Sequence, residues 1–589
     1  MSSLGLVLDI AKSALAAQRF GMDVTAHNIA NVNTPGYSRQ SPVYAPKQPS
    51  YYGGIVVGRG VDIAQVVKTT DQFIENQLIQ QKSSMLASEE MENYMKILEG
   101  LFNEDPETGI SGMLTDFWNL WHDLANNPSG TAERISLYEH TILLSDQFRS
   151  MDAGLAQIET DLTRALSAGI EKINEITGEI ARLNNLIGEM DSGRNANDLK
   201  DQRNILISEL SEYLNVNTFE QDNGSLTVVT ARGCILIHKN SSYDLELGGD
   251  NGDRIKWQGS GGSTTDITDY ITAGKLGGYL DMRDEIVAKY KLDLNSMAKE
   301  FIWAVNQQHS QGIGLKLFQP GSNIAGTYQT STDLNDLSFG GKIQFIADGF
   351  KLWIEDQTDP EDLTINSISI DLSSLDSHSS LSDLADTINN QITAAGLTGV
   401  TVDGSGTTIE FISGNNYAFG FSDDKSHILA ALGINTFFLG AGAGSMAVNT
   451  VLNDKDYIAA ARIDSNGNYA SGDNTNAMAI AELQYTSIEI PKWTCDRSHG
   501  DSEGSTTATI EDYYHAMVGS IGITSSGISR SRTYRETMVN RLNEIRDSIS
   551  AVSLDEEMAN LIKFQHAFAA AAKLITASDE MLNSLLDTK

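Results

Sequence analysis

The chain has 589 residues, 40% of them hydrophobic, with 51 glycines and only two cysteines. At roughly 150 residues per domain that is chain for about four domains with real cores, which excludes collagen-like, disulfide-scaffold and wholly disordered classes. Lys and Arg number 41 against 78 Asp and Glu, a formal net charge of -37, so phosphate backbones and anionic lipid are repelled and neither nucleic acid nor membrane insertion is expected.

No run approaches 18 consecutive apolar residues, the length of a membrane span. The opening "MSSLGLVLDIAKSALAAQ" carries an A-x-A at Ala14–Ala16, but no basic region precedes it, and Asp9 and Lys12 interrupt the apolar stretch. It reads as mature helix, not as a cleaved signal. Leu4, Leu8, Ala11, Leu15, Gln18, Met22, Thr25 and Ile29 recur at spacings of four and three, the seam of an amphipathic helix. That helix, Leu4 to Asn31, would be about 42 Å long. It stops at "NVNTPGY", where Pro35 and Gly36 make continuation costly. Beyond a Gly-rich stretch, "GIVVGRGVDIAQVV" suits a hairpin.

From about Thr70 to Tyr213 the pattern is helical, broken near residues 103–112 and 126–130. Residues 216–275 switch to short strand-like runs such as "SLTVVT" and "CILIH" between Asn-Gly and Gly-Gly turns. Helix resumes from about Leu280 to His309. Residues 331–475 carry twenty acidic and five basic side chains, a net charge of -15. There the strand-like runs "KIQFIA", "KLWIED", "SISIDL" and "TIEFIS" surround one helical segment, "SLSDLADTINNQI". After about Asn476 helix returns through "AMAIAELQ" and "EDYYHAMVGSIG" and then runs long toward the C-terminus. Leu554, Met558, Leu561, Gln565, Phe568, Ala572, Ile575, Asp579, Leu582 and Leu586 repeat the four–three spacing, and Asp555 to Leu586 would be about 48 Å of helix.

The expected fold class is therefore mainly α with β insertions, a multi-domain α+β chain. Paired, coiled-coil-like N- and C-terminal helices form one domain (1–65 plus 545–589). An elongated helical body (66–325 plus 476–544) carries a β-hairpin insert at about 216–275, and a β-rich, acidic outer domain spans 326–475. A lone amphipathic helix at either end cannot bury its own stripe, so the two ends should lie side by side. Their seams are rich in alanine (Ala11, Ala14, Ala16 and Ala17; Ala567 and Ala569 to Ala572). Alanines bury little area but allow close approach on several faces, which suits helices surrounded by copies of themselves. The alternative is an ordinary antiparallel pair capping a monomeric bundle.

Particular residues separate these readings. "HNIANVNTPGYSRQ" (His27 to Gln40) closely resembles the N-terminal signature of bacterial flagellar axial proteins, and "VSLDEEMANLIKFQHAFAAAAKLITASDEMLNSLL" (Val552 to Leu586) resembles the matching C-terminal signature. "TPGYSRQ" together with "SLDEE" is similar to the hook-associated protein 1 family, as are "NDLKDQRNILISEL" (Asn197 to Leu210), "GKLGGYLDMRDEI" (Gly274 to Ile286) and "VNQQHSQGIGL" (Val305 to Leu315). Ser553 departs from the Asn that the family often carries. Within the signature, Asn28, Asn31, Asn33 and Thr34 have short polar side chains able to bond neighbouring backbone and end the helix. Pro35 fixes its φ, Gly36 permits a positive φ and Tyr37 supplies an amphipathic anchor.

The resemblance implies a structural junction protein linking hook to filament. It implies self-association in a ring or helical layer, with the hook protein and the second junction protein as neighbours. It also implies an extracellular, flagellar location, reached unfolded through the flagellar type III export channel with no cleaved signal peptide. The axial assembly seam is then Leu4, Leu8, Leu15, Met22 and Ile29 against Leu554, Met558, Leu561, Phe568, Ile575 and Leu582. By the same resemblance an export chaperone holds the C-terminal helix, at Leu561, Phe568, Ile575 and Leu582.

No catalytic, metal or cofactor site is expected. The ten histidines form no HExxH spacing, and His27 reads as a polar helix residue. "DSNGNYASGDNT" (Asp464 to Thr475) fails as a calcium loop at Tyr469 and Thr475, and "GAGAGS" is no phosphate loop. Cys234 and Cys495 read as independent thiols. The other readings are a hook or rod protein, and an enzyme or adhesin domain displayed on an axial scaffold. Only His378 and His427 lie in the outer region to serve an enzyme.

Overall fold

The computed structural model describes the whole chain apart from residues 1, 53–54, 104–108, 191–195, 222–223, 250–251, 360–363 and 588–589. Among the described residues the α-helices are, in chain order, α1 (Ser2–Ala30), α2 (Gln72–Leu101), α3 (Ile110–Asn126), α4 (Thr131–Met190), α5 (Asn197–Tyr213), α6 (Gly274–Leu280), α7 (Ala288–His309), α8 (Leu381–Ala394), α9 (Ile428–Leu432), α10 (Thr475–Ala481), α11 (Ile510–Ser550) and α12 (Leu554–Asp587). Between α1 and α2 lie four short strands, β1 (Gln40–Pro46), β2 (Ser50–Tyr52), β3 (Ile55–Val57) and β4 (Val61–Lys68). Mainly α with β insertions is the observed class. Contacts group the chain into two compact units.

The first unit comprises Met1–Asn93, Asp161–Met282 and Ser526–Lys589. Its core is built where Leu166, Ile170, Ile173, Ile176 and Ile180, spaced three and four apart on α4, meet the inward faces of the β insert. That insert supplies Leu226, Val228, Leu236, Ile237, Leu245, Ile255 and Ile267. It contains a four-stranded antiparallel meander (216–220, 226–230, 235–238, 241–242) and a three-stranded sheet with 254–258 at its centre. The expected hairpin inside 55–68 is replaced by a different pairing. β1 pairs with β4, with a register shift at Val43/Tyr44, and the short β2–β3 hairpin is nested within that pair. Gly60 explains the geometry: its φ is +98°, and a Cβ there would stand 2.1 Å from the Ser13 hydroxyl, so the connection leaves β3 and crosses tight against α1.

The second unit comprises Tyr94–Thr160 and Arg283–Ser525. The strongly amphipathic α3 points Leu114, Phe117, Trp118, Trp121 and Leu124 inward. Ring centroids lie 5.3 Å apart for Phe117 and Phe301, 5.6 Å for Trp118 and Phe301, and 5.2 Å for Trp121 and Phe437. A three-stranded sheet with 350–356 at its centre, between 364–370 and 417–422, and a second one (323–325, 410–413, 400–403) frame α8. α8 begins in a capping box, Ser380 with Asp383, and buries Leu381, Leu384, Ala385, Ile388 and Ile392.

Two departures from the expected helices have local causes. Residues Ile488–Thr494 and Ser502–Ala508 form a long antiparallel hairpin inside the stretch expected to be helical, where Pro491 and the Ser/Thr-rich "GSTTA" oppose helix. The C-terminal run is also two helices, not one, because α11 ends at Ser550 and α12 starts at Leu554.

Candidate assembly site at the paired termini

α1 and α12 pack side by side, antiparallel: the Asn28 amide meets Glu557, and a Cβ on Gly21 would stand 2.8 Å from the Phe564 ring. At the contact the chains approach through small or polar side chains. Ala11, Ala17, Val24 and Thr25 are buried on α1, and Glu557, Ala571 and Ser578 on α12.

Asn28 is the centre of this site. Its side-chain amide donates to the Gln40 carbonyl at 2.8 Å and to Glu557 Oε2 at 2.9 Å, while its Oδ1 accepts from the Gln40 N–H at 3.0 Å and the Tyr37 hydroxyl at 2.8 Å. All four of its hydrogen-bonding positions are thereby filled. Glu557 sits in the first turn of α12 with its side chain 2% exposed. A buried carboxylate costs several kcal/mol unless it is paired. Arg39 pairs it, Nε to Glu557 Oε1 at 2.8 Å, and reaches Glu556 with its other arm at 2.6 Å. The helix N-terminus adds a favourable partial charge. The Arg39 backbone N–H closes the joint by donating to the Ser550 carbonyl, the last residue of α11, at 3.0 Å.

The turn after α1 is self-bonded. Asn31 donates to the His27 carbonyl at 3.0 Å, the Thr34 hydroxyl donates to Asn31 Oδ1 at 3.1 Å, and the Tyr37 N–H donates to the Thr34 carbonyl at 3.2 Å. Pro35 stands in this turn and Asn33 is exposed. Gly36 has φ +74°, and a Cβ there would lie 2.6 Å from the Ile205 side chain. Burial, then the carboxylates of Asp198, Asp201 and Glu557, push the Tyr37 hydroxyl pKa well above its ordinary value, so it stays a proton donor. Of the signature residues, Asn31 and Thr34 make the expected local bonds, whereas Asn28 bonds across to the other terminus.

The third wall of the joint is the start of α5. Asp198 accepts from the Gln40 side chain at 2.9 Å, with the His27 ring at 3.4 Å. Asn197 donates to the Val66 carbonyl at 3.1 Å, and Asp201 accepts from the Ser38 N–H at 3.2 Å and from Lys68 at 3.1 Å. Sequence reasoning did not single these three out as partners of the terminal motif. The only signal was the dense polar run "NDLKDQRN" opening an otherwise amphipathic helix. Beside the joint a cleft of about 780 Å³ opens between the 31–38 turn, α2, α5 and residues 546–552. In it burial pushes the Glu75 carboxyl pKa upward, with Arg546 and Lys68 opposing.

The expected seam residues flank the contact. On α1, Leu8, Leu15, Met22 and Ile29 are half-buried, and the Leu4 side chain lies outside the described residues. On α12, Leu561, Phe568 and Ile575 are half-buried, while Leu554 (46%), Met558 (56%) and Leu582 (44%) are exposed. Elsewhere, among the described residues, no three or more of His, Cys, Asp and Glu are grouped to hold a metal ion, and no helix is long and apolar enough to cross a membrane. The carboxylate of Asp464, in the calcium-like loop, accepts from the N–H groups of Asn466 and Asn468 at 2.8 Å each. Cys234 and Cys495 are both free thiols.

The two halves of this joint match family descriptions separately. Residues 8–37 match the flagella basal body rod protein family and residues 547–588 the C-terminal family of the flagellar basal body rod FlgEFG proteins. Residues 95–324 match the helical domain of the flagellar hook-associated protein FlgK. Along its full length the chain is similar to flagellar hook-associated protein 1 of Salmonella typhimurium, at 26% identity and covering all of both chains. The same protein of Bacillus subtilis is 24% identical over all of this chain and 99% of the relative, and that of Escherichia coli 25% over all of both. From end to end the chain is thus similar to flagellar hook-associated protein 1. Its fold agrees: the flagellar hook junction protein FlgK of Burkholderia pseudomallei superposes with a TM-score of 0.52 at 17% identity, over 81% of this chain and all of that one. These relatives are flagellar proteins, and the Asn28–Glu557 joint is where the two rod-type matches at the ends of this chain meet.

Proposed function

We propose that the chain is a structural subunit of the bacterial flagellum that links hook to filament and assembles through α1 and α12. The observation that carries this is the terminal helix pair, locked at one end by the Asn28–Glu557–Arg39 joint and otherwise held by small residues and the Phe564 ring against Gly21, with large apolar side chains left exposed on α12. A helix pair that needed only to stabilise a monomer would turn those side chains inward. Around an axial tube, copies would cover them by mass action. In this reading the chain acts by assembly, not catalysis. Its immediate partners are further copies, the hook protein and the second junction protein, and it is exported through the flagellar type III channel. The three-part division also belongs here, with 1–65 plus 545–589 axial, 66–325 plus 476–544 forming a shell and 326–475 projecting outward.

Before assembly an export chaperone covers Leu561, Phe568, Ile575 and Leu582. The decisive variant is Leu561→Asp with Phe568→Asp. In a flagellated bacterium lacking its own junction protein, this full-length variant should give no filaments, while the purified chain keeps the cooperative unfolding transition of its body. Normal filaments from the double variant would contradict the proposal.

A further inference from the structure

Two apolar patches of the first unit are uncovered in the single chain. One is the tip of the β2–β3 hairpin, where Tyr51 is 82% exposed, Ile55 69% and Val56 55%. Tyr51 and Val56 stand opposite each other across its three-residue strands. A lone hairpin of that length is marginal in water. The other patch begins α12, where Leu554, Met558 and Ile562 (46%, 56% and 52% exposed) form one stripe at four-residue spacing.

The β1–β4 pair fixes where these patches lie. It runs along α1 from Asn28, bonded to Gln40, past Ala17, whose carbonyl accepts from the Tyr44 hydroxyl at 3.1 Å, to Ser13, whose hydroxyl accepts from the Val61 N–H at 3.2 Å. The hairpin follows beyond that point. The stripe lies at the opposite end, because Glu557 meets Asn28 and Phe564 meets Gly21. In that register Ile562, the near end of the stripe, is level with about residue 23, so roughly ten residues of α1, about 15 Å of helix, separate it from Ser13. No side chain spans that distance, so a chain's hairpin does not reach its own stripe.

We propose that the β2–β3 hairpin of one copy docks on Leu554, Met558 and Ile562 of a second copy. Both patches are built from the aromatic, Met and aliphatic residues that fill interface cores, and the α12 stripe carries the exposed Asp555 and Glu556 at its rim. The contact joins unlike surfaces, so it is heterologous. Each copy offers a hairpin on one side and a stripe on the other, and repetition builds a ring or a helical layer, not a closed twofold dimer. The offset along α1 staggers successive copies along the helix axis. The inference rests on the axial-assembly reading and names the surface by which it is achieved.

The test uses full-length chains in a flagellated bacterium lacking its own junction protein. Tyr51→Glu alone and Met558→Lys alone should each lower incorporation into isolated flagella at least tenfold. The double variant, which places Glu against Lys at every contact, should restore at least a third of it. As a second readout, a Tyr51→Cys chain co-expressed with a Met558→Cys chain should give at least tenfold more disulfide-linked dimer in oxidised flagella than Tyr51→Cys with Ser548→Cys, an exposed control. Normal incorporation of both charged single variants, or dimer no more abundant than the control in flagella that contain both chains, overturns the docking while leaving axial assembly intact. Failure of the unaltered chain to enter flagella overturns the underlying reading, and the docking with it.

Discussion

The α1–α12 pair and the α3–α7 core are both helix packings, yet they are held by opposite means. The core stacks Phe117, Trp118, Trp121 and Phe301, all fully buried, around one another. The terminal pair buries alanines, one valine and a carboxylate, and turns Leu554, Met558 and Ile562 outward. Aromatic burial is non-directional and large, so the core is stable whatever surrounds it. A polar lock is directional: it sets the angle and register of two helices while contributing only about 1–3 kcal/mol per bonded group. In the proposed assembly, a body that holds its shape and termini that find neighbours call for these two solutions.

That contrast can be broken from the core side first. Trp121→Ala should cost about 3–5 kcal/mol by leaving a large cavity, read as a lowered denaturant midpoint of the cooperative transition. A midpoint within about 0.5 kcal/mol of the parent would show that the aromatic cluster does not carry the body. The second unit also holds a pair of buried titrating groups whose effects oppose. His309 is fully buried, bonded to the Asn435 carbonyl at 2.8 Å and accepting the Ala459 N–H at 3.0 Å, and burial lowers its pKa from 6.5 to about 4. As pH falls from 6.5 to 4 the unfolded chain takes up a proton that the folded chain refuses, a loss of about 3 kcal/mol. Burial raises the Asp424 pKa from 3.8 to about 6. Between pH 6 and 3.8 the folded chain therefore binds a proton that the unfolded chain lacks, a gain of about 3 kcal/mol. In the native protein the two act in opposite directions. Asp424→Asn should leave the effect of His309 unopposed, so that the variant loses about 3 kcal/mol more than its parent between pH 6.5 and 4. Parallel pH profiles for the two would refute this.

From the terminal side, Asn28→Ala takes one hydrogen bond from the Glu557 carboxylate, which keeps Arg39, and removes the side-chain partner of the Gln40 N–H and the Tyr37 hydroxyl. It should cost roughly 2–3 kcal/mol locally, seen as faster amide exchange in α1 and α12 with the body's transition unmoved. Gly36→Ala, which forces a side chain into a left-handed φ against Ile205, should cost about 1–2 kcal/mol in the same exchange readout. Smallest is Ile562→Ala, an exposed position where stability should shift by less than about 0.5 kcal/mol while assembly weakens.

The sequence carried the terminal helices almost to the residue, Leu4–Asn31 against the observed Ser2–Ala30 and Asp555–Leu586 against Leu554–Asp587, because the 3.6-residue periodicity is strong in both and Pro35 and Gly36 follow α1. It also carried α8, whose start is written in the Ser380–Asp383 cap. The face of α1 was less legible. The periodic leucines mark the flanks of the contact, and the buried line runs through Ala11, Ala17, Gly21 and Asn28, since small residues pack closest without standing out in hydropathy. The strand pairing around Gly60 and the 488–508 hairpin were hidden because short polar strands carry little alternation. The joint itself depended on Asn197, Asp198 and Asp201, more than 150 residues from the motif they hold. Spacing along a chain contains no record of such a meeting.

Amide hydrogen exchange on the full-length monomer and on isolated flagella tests the central contrast most directly. The account predicts that α1 and α12 exchange at least a hundredfold faster than α3 and α7 in the monomer, and that they become as protected as those helices in the flagellum. Equal protection of all four helices in the monomer, unchanged by assembly, would contradict it.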